Sequence, residues 1–173
     1  LRQDLLPLIP AEGSVGASGD LTPLSYIAAA MVGEREVLYR GRRMSAASAL
    51  AEAGLKPITL RPKEALAVMN GTVVMTGLAA LAFVRAEGLS RLSTRLTAAA
   101  SMALLGNPKH FDPRLSQAKP HAGQGRVAAR VAADLAPFVR LHPLSRLQDR
   151  YSIRCAPHVI GVLEDMLAPL KGM

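Results

Sequence analysis

Tryptophan is missing from this 173-residue sequence, and aromatic residues make up only 3% of it. A hydrophobic content of 50% must therefore come from aliphatic and alanine side chains, the composition of closely packed helices. The same figure excludes a disordered chain. A single cysteine, Cys155, rules out an internal disulfide framework and any cysteine-built zinc site. It fits a reducing compartment, and a cytoplasmic protein is expected. Acidic residues are the scarcer charge, 13 against 21 Lys and Arg, for a formal net charge of +8. The surplus is scattered: its densest stretch is Arg40, Arg42 and Arg43, and few rings exist to stack on bases. Nucleic-acid binding is therefore not expected. No charged segment followed by an apolar run opens the sequence, which starts at Leu1 and is expected to begin inside a longer reading frame.

Charge is also lacking from Ala65 to Val84, a run long enough to cross a bilayer of about 30 Å. Asn70-Gly71, Thr72, Thr76 and Gly77 interrupt it, and Asn70-Gly71 reads as a turn or helix break, so no membrane span is expected. An Asn-Gly break between helices calls for left-handed backbone, which Asn tolerates. Beyond it, Met75, Leu78, Ala82, Arg85, Leu89, Leu92, Leu96, Ala99 and Ala103 recur at steps of three and four. That spacing predicts one long helix, closed by Gly106-Asn107-Pro108. From Thr72 to Leu105 it would measure about 50 Å at about 1.5 Å per residue. A compact chain of this length is only about 40 Å across. Either the helix bends at Gly88, or its stripe is covered by other sequence or by neighbouring subunits; the second is expected.

Shorter elements surround this helix. Glu36 to Tyr39 and Arg42 to Met44 flank Arg40-Gly41 as a hairpin, and Ser45 caps a helix to Ala53 that stops at Gly54. Pro62 suits the first turn of a helix through Met69. Lys109 to Gln124 reads as loop, Arg126 to Leu135 as helix, Leu144 to Tyr151 as the approach to a polar cluster, and a last helix starts near Pro157. The expected fold is mainly α, a long-helix bundle with a small β-hairpin after the glycine-rich loop.

That loop, Gly13-Ser14-Val15-Gly16-Ala17-Ser18-Gly19-Asp20, is the most unusual local composition. A phosphate loop needs Lys and then Ser or Thr after its last glycine, where Asp20 places a negative charge. A nucleophile elbow at Ser18 needs glycine where Asp20 stands. A dinucleotide fingerprint lacks its first spacing and its strand. What remains is a backbone free to bend at Ala17-Ser18-Gly19, or an ordinary turn in which Ser18 caps a helix through Thr22 and Pro23.

Three segments, Gly13 to Pro23 (GSVGASGDLTP), Asn70-Gly71-Thr72 and Gln148 to Pro157 (QDRYSIRCAP), resemble in order the signatures of the aromatic amino acid ammonia-lyases and aminomutases. The resemblance extends over essentially the whole chain. It implies that residues 1–173 are one central part of a longer lyase, the part that bears the electrophile, with flanking N- and C-terminal regions outside this sequence. It implies that Ala17, Ser18 and Gly19 cyclise autocatalytically to 4-methylidene-imidazol-5-one (MIO), with no metal or external coenzyme. Ring closure requires the Gly19 nitrogen to approach the Ala17 carbonyl carbon, which planar peptides resist and small side chains on a strained loop permit. Asp20 is implied as a support for that cyclisation, and Asn70 as a neighbour of the cofactor or substrate amine. Tyr151 is implied in elimination, and Arg154 in binding the substrate carboxylate fork to fork, a planar contact Lys does not reproduce. Gln148 joins them as a substrate-binding candidate, since positions 148, 151 and 154 on a helical turn would face one side.

The implied reaction is non-oxidative elimination of ammonia from an aromatic L-amino acid, whether histidine, phenylalanine or tyrosine, in a homotetramer built around a central helical bundle. The residue that removes the β-proton lies outside the chain, so residues 1–173 alone are expected to be inactive. An aminomutase, returning ammonia to the β-carbon, shares these motifs, and a non-catalytic helical assembly module is the reading from another class. His110, His121, His142 and His158 lack metal-ligand spacing and read as loop or helix-end residues. His158 is placed near the pocket, and Cys155 reads as a buried structural thiol.

Overall fold

A computed structural model describes residues 2–138 and 147–172, which divide into two compact units, Leu1–Ala80 and Leu81–Met173. His142 and residues 144–146 of the 144–151 approach lie outside the described residues. Both units are mainly helical, as the composition predicts.

In the first unit, β1 (Leu5–Pro7), β2 (Glu36–Tyr39) and β3 (Arg42–Ser45) form an antiparallel sheet in that order. The β2–β3 hairpin pairs Val37 with Met44 and Tyr39 with Arg42. Its two linking residues, Arg40 and Gly41, have φ of 49° and 76°, the double left-handed turn that matches strand twist and that glycine makes accessible. Alternation along β2 buries Val37 and Tyr39 against Ala30 of α1 (Leu21–Met31) and Ala46 and Ala49 of α2 (Ala46–Glu52). Ser45 caps α2 as expected, its Oγ accepting the Ser48 N–H at 3.2 Å. Strand β1 is an addition to the expected hairpin; three residues ending in proline carry no strand signature. The basic cluster is largely neutralised, since Arg42 pairs with Glu52 at 2.7 Å and Arg43 with Glu36. The Arg43 hydrogen bond holds the Glu36 carboxyl below its usual range.

The helix expected from Pro62 begins instead at Glu64: α3 spans Glu64–Met69. Lys63 has φ of 72°, and the Glu64 carboxylate accepts the Arg61 N–H at 2.7 Å, so Pro62 sits in a turn closed ahead of the helix. After the break comes α4 (Val73–Ala103), 31 residues long and continuous through Gly88. The boundary between the two units falls within it.

The second unit continues with a 3₁₀ turn (Pro108–Phe111), α5 (Pro113–Gln117), α6 (Ala122–Leu135), α7 (Tyr151–Arg154) and α8 (Ala156–Leu170). The loop expected over Lys109 to Gln124 is thus largely helical. Pro108 and Pro113 start its helical turns: Asn107 and Asp112 cap them, their side chains accepting the Lys109 and Arg114 N–H groups, with the prolines just inside. The Arg114 side-chain hydrogen bond, with its backbone N–H, lowers the Asp112 carboxyl to about 2. The core joins Ala98 of α4, Phe111, and Val127, Val131 and Leu135 of α6.

The face α4 buries is the small and polar one. Ser90, Thr94, Ala98 and Ser101 are buried, with the Thr94 hydroxyl donating to the Ser90 carbonyl at 3.0 Å. The apolar stripe points away from the described core, leaving Leu78, Leu89, Leu92 and Leu96 exposed at 62%, 60%, 51% and 57%. Exposed apolar side chains this large along one face of a 31-residue helix mark a surface that something beyond the described residues covers.

Helices α6 and α8 cross at two glycines. A Cβ at Gly161 would overlap the Gln124 nitrogen and stand 2.6 Å from the Gln124 Cα, while one at Gly123 would strike the Gly161 carbonyl. Gly161→Ala is therefore expected to destabilise this unit by about 2–3 kcal/mol, the cost of overpacking against backbone that cannot yield. Denaturant unfolding checks this; an unchanged midpoint would mean that the helices separate freely.

Candidate active site

The glycine-rich loop and the Asn70-Gly71 break meet in the first unit. Gly16, Ser18 and Gly19 have φ of 69°, 54° and 87°, a sharply curved backbone for which glycine is suited and Ser18 is not, at a cost of about 1–2 kcal/mol. Ala17 and Ser18 are exposed. Gly19 is fixed twice, by its φ and by the Gly71 carbonyl, which occupies the place of any Cβ and whose carbon would lie 3.0 Å from it.

Asp20 anchors this curve and is fully buried. Its N–H donates to the Gly71 carbonyl at 2.7 Å. Its Oδ1 accepts the Ser14 hydroxyl at 2.8 Å and its Oδ2 the Met75 N–H at 2.8 Å. The carboxylate thus lies on the first turn of α4, where unpaired N–H groups and the helix dipole favour an anion. Asp20 also stands at the N-cap of α1, its carbonyl accepting the Leu24 N–H at 3.0 Å. The turn in which Ser18 would cap α1 is therefore not the one adopted.

Asn70 departs from the expected left-handed break. It has φ of −88° and ψ of 84°, and the Gly71 N–H donates to the Met69 carbonyl at 3.2 Å. This is an inverse γ-turn, open to almost any residue. Backbone conformation alone does not call for asparagine at this position.

Tyr151, Arg154 and Gln148 belong to the second unit. Helix α7 is one turn, and its two ends bear Tyr151 and Arg154. Both line a cavity of about 340 Å³ together with His110, Gln124, Cys155 and His158. The Arg154 guanidinium lies 5.1 Å from the Tyr151 ring centroid. Its Nε is buried without an acceptor among the described residues, an unpaired donor of the kind that folded proteins keep for a ligand or function. Gln148 precedes α7, is exposed and is not part of the cavity wall, so the three-residue spacing does not bring it to the same side. Cys155 is half-buried at the wall instead of enclosed in the core, 3.8 Å from an Arg154 nitrogen. His158 borders the cavity, as expected.

His110, which reads from the sequence as a loop or helix-end residue, pairs with Asp149, which carries no sequence signal of its own. The His110 Nε2 accepts the Asp149 N–H at 3.0 Å, and the Asp149 carboxylate accepts the Asn107 N–H at 2.7 Å. Together they fasten the strand of chain entering α7. Their separation of 39 residues leaves no local signal. No cluster of three or more His, Cys, Asp or Glu suited to a metal occurs among the described residues.

A family model described as aromatic amino acid lyase matches residues 1–173. A histidine ammonia-lyase of Koribacter versatilis is 42% identical over 171 residues, covering 96% of this chain and 33% of the relative. Among solved structures, the phenylalanine aminomutase of Pantoea agglomerans aligns with TM-score 0.86 and 34% identity, over 98% of this chain and 36% of that one. Histidine ammonia-lyase from Trypanosoma cruzi aligns with TM-score 0.81 and 36% identity, over 95% of this chain and 30% of that one. The chain spans about a third of the length of the curated relatives it matches.

Proposed function

This chain belongs to the aromatic amino acid lyase family, and on that premise we propose that it carries the electrophile-forming loop and the carboxylate-binding arginine of an ammonia-lyase acting on an aromatic L-amino acid. It works as the central part of a longer polypeptide, since it matches only about a third of its curated relatives. One observation carries the reading most directly. Ser18, exposed and held at φ of 54°, precedes a glycine whose side-chain space is filled by Gly71 and an aspartate tied to α4. A turn that only reversed the chain would not need a strained serine there.

The residues present fit MIO. Ala17, Ser18 and Gly19 are small, the backbone is already curved, and Gly19 has no Cβ to obstruct its nitrogen. Once formed, the ring supplies an electrophile that makes the substrate amine a better leaving group. Asn70, whose turn asks nothing of its side chain, is left to act beside that loop. Arg154, whose Nε has no acceptor among the described residues, offers its guanidinium to the substrate carboxylate, and the fork fixes the amino acid for proton removal. Tyr151, 72% exposed in this chain, supports the elimination from the cavity rim. The base that removes the β-proton comes from sequence outside this chain.

The uncovered leucines of α4 support assembly through this helix into a bundle, as in a homotetramer. The histidine ammonia-lyases among its relatives make L-histidine the first substrate to test. Release of ammonia and an arylacrylate from L-histidine, L-phenylalanine or L-tyrosine by the complete polypeptide is the expected result; no ammonia from any of them would overturn the proposal. The likeness to an aminomutase favours one second reading, distinguished by a β-amino acid product.

Arg154→Lys tests the carboxylate contact. A point charge replaces the planar fork, and kcat/KM is expected to fall on the order of 10- to 100-fold, mostly through KM. Steady-state kinetics of the complete polypeptide with an unchanged KM would remove Arg154 from substrate binding.

A further inference from the structure

The loop bearing the ring-forming tripeptide is closed by a residue that no part of the reading above uses. The Ser14 hydroxyl donates to the buried Asp20 Oδ1 at 2.8 Å and accepts the Gly16 N–H at 3.3 Å. A hydroxyl has one proton to give and lone pairs to receive, and Ser14 uses both, one on each side of Ala17-Ser18-Gly19. We propose that Ser14 is a positioning residue for cyclisation, stapling the two flanks of the tripeptide so that the Gly19 nitrogen is held toward the Ala17 carbonyl carbon. The inference rests on Ala17, Ser18 and Gly19 being the ring-forming residues.

The two flanks differ in what else holds them. Asp20 is fixed without Ser14, by the Gly71 carbonyl at 2.7 Å and the Met75 N–H at 2.8 Å. Gly16 is exposed, sits at φ of 69° and has open space around it; a glycine so placed samples many conformers. Ser14 carries the rigidity of the buried side across to the free side. Loss of its hydroxyl leaves α1, α4 and the Asp20 anchor standing and releases only the approach to Ala17.

The step it promotes is a double dehydration with no change of redox state. A bond forms from the Gly19 nitrogen to the Ala17 carbon as the Gly19 amide hydrogen passes to the Ala17 oxygen. That hydroxyl leaves with the Ser18 amide hydrogen as one water, and the Ser18 Cα hydrogen leaves with the Ser18 hydroxyl as the second. Only the first bond formation depends on how the loop is held, so Ser14 sets the rate at which the ring appears.

The test uses the complete polypeptide, sampled at intervals after synthesis by intact mass, with a melting curve for each variant. Wild type is expected to lose two waters. Ser14→Ala is expected to lose them on the order of tenfold more slowly at an unchanged melting temperature, and Ser14→Thr to match wild type. Dehydration of Ser14→Ala at the wild-type rate overturns the proposal, as does equal slowing in Ser14→Thr. If Ser14→Ala does not fold, Ser14→Val against Ser14→Thr, equal in shape and different in the hydroxyl, carries the comparison. A wild type that keeps both waters overturns the ring-forming reading itself, a failure distinct from a ring that forms regardless of Ser14.

Discussion

Ser18→Ala in the complete polypeptide is expected to abolish the loss of two waters and to reduce ammonia release on the order of a thousandfold or more. Alanine has no hydroxyl to leave, so no methylidene can form, whatever the geometry of the loop. The substitution should be benign for the fold. Ser18 is exposed, φ of 54° is no easier for alanine than for serine, and α1 is capped by Asp20. Activity and stability are thereby separated: an intact melting transition with no ammonia is the expected pair. Wild-type turnover by Ser18→Ala would remove the electrophile from the reaction.

The second large effect falls on stability. Asp20→Ala strips the buried carboxylate from the start of α4, leaving the part-buried Met75 N–H and the Ser14 hydroxyl without their partners. The lost cap, the unsatisfied donor and the vacated volume together are expected to cost about 3 kcal/mol. Asp20→Asn separates charge from shape. Its amide oxygen still accepts the Met75 N–H and its NH₂ group turns to the Ser14 oxygen, so the expected cost is only about 1 kcal/mol. Denaturant titration of both variants gives the order; equal costs would mean that Asp20 acts through its negative charge at the start of α4 and not through its shape or hydrogen bonds.

Much of this molecule is legible along the chain. The steps of three and four from Met75 to Ala103 locate α4 within two residues at each end, because a long periodic pattern outweighs local noise. Arg40-Gly41 marks the hairpin by the left-handed backbone it demands. Periodicity does not reveal what covers a stripe. The leucines of α4 announce a buried face, yet the face that packs within the chain is Ser90, Thr94, Ala98 and Ser101, whose small size allows close approach and leaves no hydropathy signal. Proline misled in two directions: Pro62 precedes its helix, while Pro108 and Pro113 begin theirs, and only the capping side chains tell these apart.

The site divides the same way. Ala17-Ser18-Gly19 stands out by composition, but its anchoring does not, since Asp20 reaches a backbone N–H 55 residues away. Asn-Gly reads in sequence as a left-handed break, whereas Asn70 adopts φ of −88° and ψ of 84°, a turn that does not call for asparagine. Spacing groups Gln148 with Tyr151 and Arg154; the helical turn begins only at Tyr151, after Gln148 has passed.

The most direct measurement is the mass of the peptide containing Ala17, Ser18 and Gly19, cut from the complete polypeptide. A mass lower by two waters, located to those three residues, is the expected result; the unmodified mass of a linear peptide would contradict the proposed electrophile and the elimination built on it.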